Sequence, residues 1–215
     1  MDFSARLKLA QLHLSKSDPL LSRLIKEFGP CKIKPHKDYY GELVSSIVGQ
    51  QLSTKAAAAI WLRVLKLFGG KMPEPQQLMM IDDELLRHAG LSRAKVSYVK
   101  DLAAHVIDGR LSLDHISAMP NEQLIEQLTA IKGIGKWSAH MFMIFGLGRL
   151  DVLPVGDLGI RKAIMNNYGL ATLPDPATCI SIASENGWHP YESVASWYLW
   201  KSLDSSPAKK TRHDS

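Results

Sequence analysis

The stretch that decides the fold reads Leu128-Thr-Ala-Ile-Lys-Gly-Ile-Gly-Lys-Trp-Ser-Ala139. Apolar residues at helical spacing run into Gly133-Ile134-Gly135, and a second helical pattern begins at once. Two glycines one residue apart permit a turn too tight for a Cβ and let another backbone approach closely. The amides at the start of the second helix then point outward with the positive end of the dipole, which suits a phosphate. No strand pattern precedes the turn and no Gly-x-x-Gly-Lys-Ser/Thr follows it, so Rossmann and P-loop readings fail on context. Glycine spacing alone fits either a phosphate-binding hairpin or a plain corner between two helices.

Outward from the hairpin the pattern stays helical. Leu20, Leu21, Leu24, Ile25 and Phe28 follow Ser17-Asp18-Pro19 and stop at Gly29-Pro30, a capping residue, a first-turn proline and a breaker. The same grammar predicts helices from Asp38 to Val48, after Ser53 to Phe68, over 82–88, 92–107, 121–129, 136–145, 157–168, 176–186 and 191–203. Leu150-Asp-Val-Leu-Pro is short and ends in proline, so no convincing strand remains. The expectation is an all-α fold of roughly ten helices with short connectors. Residues 204–215 are polar without an apolar anchor and read as a disordered tail.

Composition narrows the class without choosing a function. Among 215 residues, 46% hydrophobic and 22% charged exclude extended disorder. No apolar run approaches the ~20 residues of a membrane span, and the N-terminus lacks a signal-peptide core. The two cysteines, Cys31 and Cys179, cannot build a four-cysteine iron–sulfur cluster or a thiolate zinc site. A net charge of +5 is compatible with a polyanionic partner but is shared by many enzymes.

Leu-x-x-Ile-Lys-Gly-Ile-Gly-Lys resembles the helix-hairpin-helix of the DNA glycosylase superfamily that pairs this hairpin with a Gly/Pro-rich loop and an aspartate. Such a loop follows as Leu153-Pro-Val-Gly-Asp-Leu-Gly-Ile-Arg-Lys162. Ser46-Ile-Val-Gly-Gln-Gln-Leu-Ser-Thr-Lys-Ala-Ala57 resembles the family's DNA-wedging loop, and Trp188-His-Pro-Tyr-Glu-Ser-Val-Ala-Ser-Trp-Tyr-Leu-Trp200 its C-terminal aromatic helix. The four segments come in family order, and they look most like the AlkA-type 3-methyladenine-DNA glycosylase II group, without an extra N-terminal β domain.

The resemblance implies a two-lobed fold over residues 1–203, with a hairpin lobe at about 40–155 and a second lobe from 1–39 and 156–203, in keeping with ordinary domain sizes. DNA would lie in the cleft between them. It implies Asp157 as the catalytic carboxylate, opposite the oxocarbenium charge that develops as the base leaves; aspartate is equally a favoured N-cap. Gly133, Gly135 and Lys136 would hold a phosphate, with Na+ or K+ bridged by the carbonyls of Thr129, Ile131 and Ile134. No cofactor is expected for the chemistry itself. The loop Gln50-Gln51-Leu52-Ser53 would enter the minor groove, Gln51, Leu52 and Ser53 meeting DNA, with Leu52 an apolar wedge and Ser53 a small plug that wedges poorly; Ser53 is also an ordinary helix cap.

Trp200, Trp197 and Trp137 would stack on an electron-poor base by cation–π attraction, with Met141 where some relatives carry tyrosine; a core role for at least one of these aromatics is the competing reading. Trp137 stands where strand-cutting relatives carry the Schiff-base lysine, and Lys136 is about 100° round the helix from it. The implied activity is monofunctional excision of 3-methyladenine and 7-methylguanine from duplex DNA, by a monomer inside a cell. Two rivals are a non-catalytic helix-hairpin-helix protein that only recognises damaged DNA, and a bifunctional glycosylase/lyase acting on oxidised bases.

Overall fold

The computed structural model describes residues 1–204, so the tail expected over 204–215 falls outside the described residues from position 205 onward. These residues form twelve α-helices, one π-helical turn and no strand. They divide into two compact units. One, the hairpin unit, is His36–Phe142; the other, the terminal unit, joins Met1–Pro35 to the described residues from Met143 onward.

In the hairpin unit the helices are α3 (Tyr39–Gly49), α4 (Thr54–Leu67), α5 (Pro75–Met80), α6 (Asp83–His88), α7 (Arg93–Ile107), α8 (Asn121–Thr129) and α9 (Lys136–Met141). Helix α7 is the spine. Ser92 caps it by accepting from the Lys95 amide at 3.2 Å, and Val96, Val99, Leu102 and Ala103 are buried against α3, α5 and α6. Each fully buried Val or Leu contributes about 1.5–3 kcal/mol relative to exposure. Helix α8 packs on α9, which closes the hairpin.

The terminal unit holds α1 (Phe3–Ser17), α2 (Pro19–Phe28), α10 (Leu158–Tyr168), α11 (Pro176–Glu185) and α12 (Glu192–Asp204). Helix α12 lies against α1, α2 and α10 and is buried continuously from Ser193 to Leu199. At the centre sits Asp18, 1% exposed. Its Oδ1 accepts from the Leu20 and Leu21 amides at 2.8 and 3.2 Å, which starts α2. Its Oδ2 accepts from the Tyr168 hydroxyl and from Trp188 Nε1, the latter at 2.8 Å.

Three features differ from the sequence expectation. Helix α1 goes unannounced because Leu9 and Leu12 face solvent and blur its buried stripe of Leu7, Ala10 and Leu14. Helix α5 is six residues long and is made by a reciprocal cap in which Glu74 N donates to Gln77 Oε1 at 2.9 Å. The helix expected over 136–145 is α-helical only to Met141 and continues as the π turn Phe142–Gly146.

The boundary expected near 155 falls at Phe142, because the residues after it pack with the chain ends. Ser193 N donates to Leu150 O at 2.9 Å, and Val152 N to Ser193 Oγ at 3.1 Å. A Cβ on Gly148 would lie 2.8 Å from the Phe3 ring and 2.9 Å from Pro35.

Candidate functional site

The hairpin turn is locked from beneath. Gly133 has φ +82°, and a Cβ there would lie 2.2 Å from the Tyr98 ring of α7, so both backbone and space demand glycine. Asp101, one turn further along α7, accepts from the Lys132 amide at 2.8 Å. The turn closes through Ile131 N to Leu128 O at 3.2 Å and Ile134 N to Ile131 O at 3.1 Å.

Gly135 is a different case. Its φ is −90°, and a Cβ added there would meet no atom within 4 Å, so nothing inside the protein requires glycine at this position. Gly133, Gly135 and Lys136 are all exposed on this edge, with Trp137 52% exposed beside them. Met141, one turn along α9, is half-buried. Burial, and then the neighbouring Lys136 ammonium, pull the His140 imidazole below its ordinary value of 6.5, so it stays neutral at pH 7.

The loop between α3 and α4 borders the same turn. Gln50 Nε2 donates to Gly133 O at 2.8 Å. Gln51 has φ +57°, the single non-glycine residue in the left-handed region among those described. Gln51, Leu52 and Ser53 are exposed, and Ser53 Oγ accepts from the Ala56 amide at 3.3 Å, so the serine does serve as the cap of α4. Lys95 reaches across from α7 to donate to Val48 O and Gln50 O at 2.8 and 2.7 Å.

In the terminal unit Asp157 is the N-cap of α10. Its Oδ1 accepts from the Ile160 amide at 2.8 Å and from Trp200 Nε1 at 2.9 Å. The Trp200 ring rests against Phe145 of the π turn, centroids 5.8 Å apart. A Cβ on Gly159 would sit 2.9 Å from Asp157 Oδ1 and 3.3 Å from Trp200 Cδ1, so glycine leaves the room in which these side chains meet. The carboxylate is therefore half-buried, oriented by two donors and backed by an aromatic pair.

The expected residues thus fall into two groups. The hairpin unit carries Thr129, Ile131, Gly133, Ile134, Gly135, Lys136, Trp137 and Met141 with the loop Gln51-Leu52-Ser53; the terminal unit carries Asp157 and Trp200. The structure places Trp197 in the core of the terminal unit, 8% exposed, edge-on to Tyr198 and beneath the Lys201 ammonium. Sequence reading placed Gln50 in the DNA-entering loop without its bond to the hairpin, and overlooked Tyr98, Asp101, Lys95 and Gly159. Gly159 alone had a local signal, as a second glycine beside the loop aspartate.

Residues 44–186 match the family described as HhH-GPD superfamily base excision DNA repair protein. The chain is 35% identical over 213 residues to DNA-3-methyladenine glycosylase 1 of Schizosaccharomyces pombe, covering 95% of this chain and 92% of that protein. The crystal structure of a DNA-3-methyladenine glycosidase from Bacillus halodurans superposes with a TM-score of 0.82 at 42% identity, over 90% of this chain and 88% of that one. The Schizosaccharomyces pombe 3-methyladenine DNA glycosylase in complex with abasic DNA superposes with a TM-score of 0.75 at 34% identity, over 91% and 96%.

Proposed function

The chain belongs to the HhH-GPD superfamily of base excision DNA repair proteins, and from that premise we propose that it is a DNA glycosylase that releases alkylated purines, 3-methyladenine and 7-methylguanine, from duplex DNA without cutting the strand. The observation that carries this reading is Asp157, a carboxylate fixed by two donors beside an indole.

An alkylated purine already bears positive charge, so when the C1′–N bond breaks the base takes the electron pair and leaves neutral. Positive charge then develops on the sugar, and a preorganised carboxylate is the group that stabilises it. Water bonds C1′ and its proton departs through the carboxylate to solvent, leaving an abasic site. Reaching that bond requires the nucleotide to leave the stack. The hairpin amides at Gly133 and Gly135, with Lys136, hold the backbone, and the exposed Gln51-Leu52-Ser53 loop fills the gap.

Trp200 and the half-exposed Trp137 offer indole faces to a cationic base; Trp197 is buried in the core of the terminal unit. Met141 is the further hairpin-unit residue assigned to base contact. Trp137 cannot form a Schiff base, which supports hydrolysis without lyase chemistry. The carbonyls of Thr129, Ile131 and Ile134 lie at the end of α8 and in the turn, where helical donors run out. Ile131 O keeps a second lone pair beyond its bond from Ile134 N. Neutral oxygens of this kind fit Na+ or K+, which would supply positive charge toward a phosphate.

The test is release of purines from methylated duplex DNA by wild type and Asp157→Asn, identified by chromatography. Wild type is expected to free 3-methyladenine or 7-methylguanine, and the variant to bind abasic duplex with unchanged affinity and release nothing. Binding by both without release by either would make the protein a recognition module. A covalent adduct on borohydride treatment would restore the lyase reading.

A further inference from the structure

The loop that carries Gln51 and Leu52 has a shape that its own sequence does not favour. Helix α3 ends at Gly49, leaving carbonyls without intrahelical donors, and the chain must then pass through Gln51 at φ +57°. A glutamine does not hold the left-handed region unless neighbours enforce it.

Two neighbours do. The Gln50 side chain donates to Gly133 O of the hairpin at 2.8 Å. On the other side the Lys95 ammonium fixes the chain just before the strained residue, donating to Val48 O at 2.8 Å and Gln50 O at 2.7 Å. Gly49 O, between them, accepts from Leu52 N at 3.2 Å and closes the turn. Lys95 sits at the negative end of the α3 dipole and takes main-chain oxygens rather than a carboxylate. Burial lowers its pKa, and its two hydrogen bonds go to the last turn of α3 and the loop residue that follows it.

From this arrangement we infer that Lys95 is a positioning residue for insertion of the loop into the duplex: it holds the Gln50–Ser53 loop in the shape that enters the duplex before DNA arrives. The inference rests on the proposed use of that loop in DNA. A loop ordered in advance loses no conformational freedom on entry, so its removal slows insertion more than it weakens encounter. Lys95 touches neither the base nor the sugar in this assignment; it acts through the loop.

The experiment is stopped-flow fluorescence with a duplex carrying 2-aminopurine beside a tetrahydrofuran abasic analogue, a probe that reports insertion without base release. Lys95→Met is expected to slow the fluorescence change about tenfold while affinity for undamaged duplex stays within twofold. Lys95→Arg, which keeps the charge and donates to the same carbonyls, is expected to recover most of the rate. Should Lys95→Met fail to melt cooperatively, Lys95→Gln is read in the same assay with the same expectation. Insertion at wild-type rate in a folded Met or Gln variant overturns the inference. Wild-type protein that inserts but frees no alkylated purine sinks the glycosylase reading and leaves the role of Lys95 standing.

Discussion

Asp157 and Trp200 meet through a single hydrogen bond between residues far apart in the chain, and it separates two jobs of the indole. Trp200 Nε1 orients Asp157 Oδ1 at 2.9 Å, while the ring offers a face to a base. Trp200→Phe keeps a face and removes the donor. A hydrogen bond to a charged group contributes about 1.5–3 kcal/mol, so single-turnover base release should fall roughly 10–100-fold with affinity for abasic duplex unchanged. If affinity falls in step with rate, stacking is the larger role.

Gly159→Ala tests the same contact from the other side. Alanine favours a helix over glycine by about 0.5–1 kcal/mol, which roughly offsets the cap lost when Asp157 is displaced, about 1 kcal/mol, so the melting temperature should hold. Base release should nevertheless drop, because a Cβ 2.9 Å from Asp157 Oδ1 displaces the carboxylate. The helix-start position of Asp157 was legible from the sequence, from the Gly/Pro-rich loop that precedes it. The reason for Gly159 was not, since it lies in a side chain contributed by another helix.

At the scale of elements, the hairpin was read from its two glycines, and the structure assigns them different causes. Gly133 is required by φ +82° and by the Tyr98 ring. Gly133→Ala should lower both the melting temperature and DNA affinity, the left-handed backbone alone costing about 1–2 kcal/mol. Gly135→Ala meets no atom and keeps an ordinary φ. Its melt should match wild type while affinity for abasic duplex, read by fluorescence anisotropy, weakens roughly tenfold through loss of one close backbone approach. An unchanged affinity would remove Gly135 from the DNA-binding set.

Helices with clean stripes, such as α7 with Val96, Val99 and Leu102, were plain from periodicity. Helix α1 was hidden by exposed Leu9 and Leu12, and α5 by its length. The Lys95 latch could not be read at all: lysine on an amphipathic helix normally faces water, and its acceptors belong to a different helix end.

For the molecule as a whole, the terminal unit is assembled from both ends of the chain, and Asp18 is where those ends join. The sequence presented Asp18 as a helix cap, and for a cap asparagine is as good as aspartate. The structure gives its second oxygen to Tyr168 and Trp188, 150 and 170 residues away. Asp18→Asn keeps the acceptor for Leu20 and Leu21 but turns an amide NH2 toward Trp188 Nε1, which can only donate. Trp188 is fully buried, so its unpaired donor costs about 1–3 kcal/mol. For a chain of this length that is roughly 2–12 °C in melting temperature.

A melt unchanged by Asp18→Asn would return Asp18 to a simple cap. The same cluster sets an alkaline limit. Burial, and then the bond to Asp18, hold the Tyr168 phenol protonated well above its ordinary value of 10.0. A raised folded value means that the contribution is complete below pH 10 and is lost as pH rises beyond it. Stability measured by urea unfolding should therefore decline above pH 10 in wild type, and Tyr168→Phe should start lower and fall less steeply, because the proton whose release drives that decline is gone.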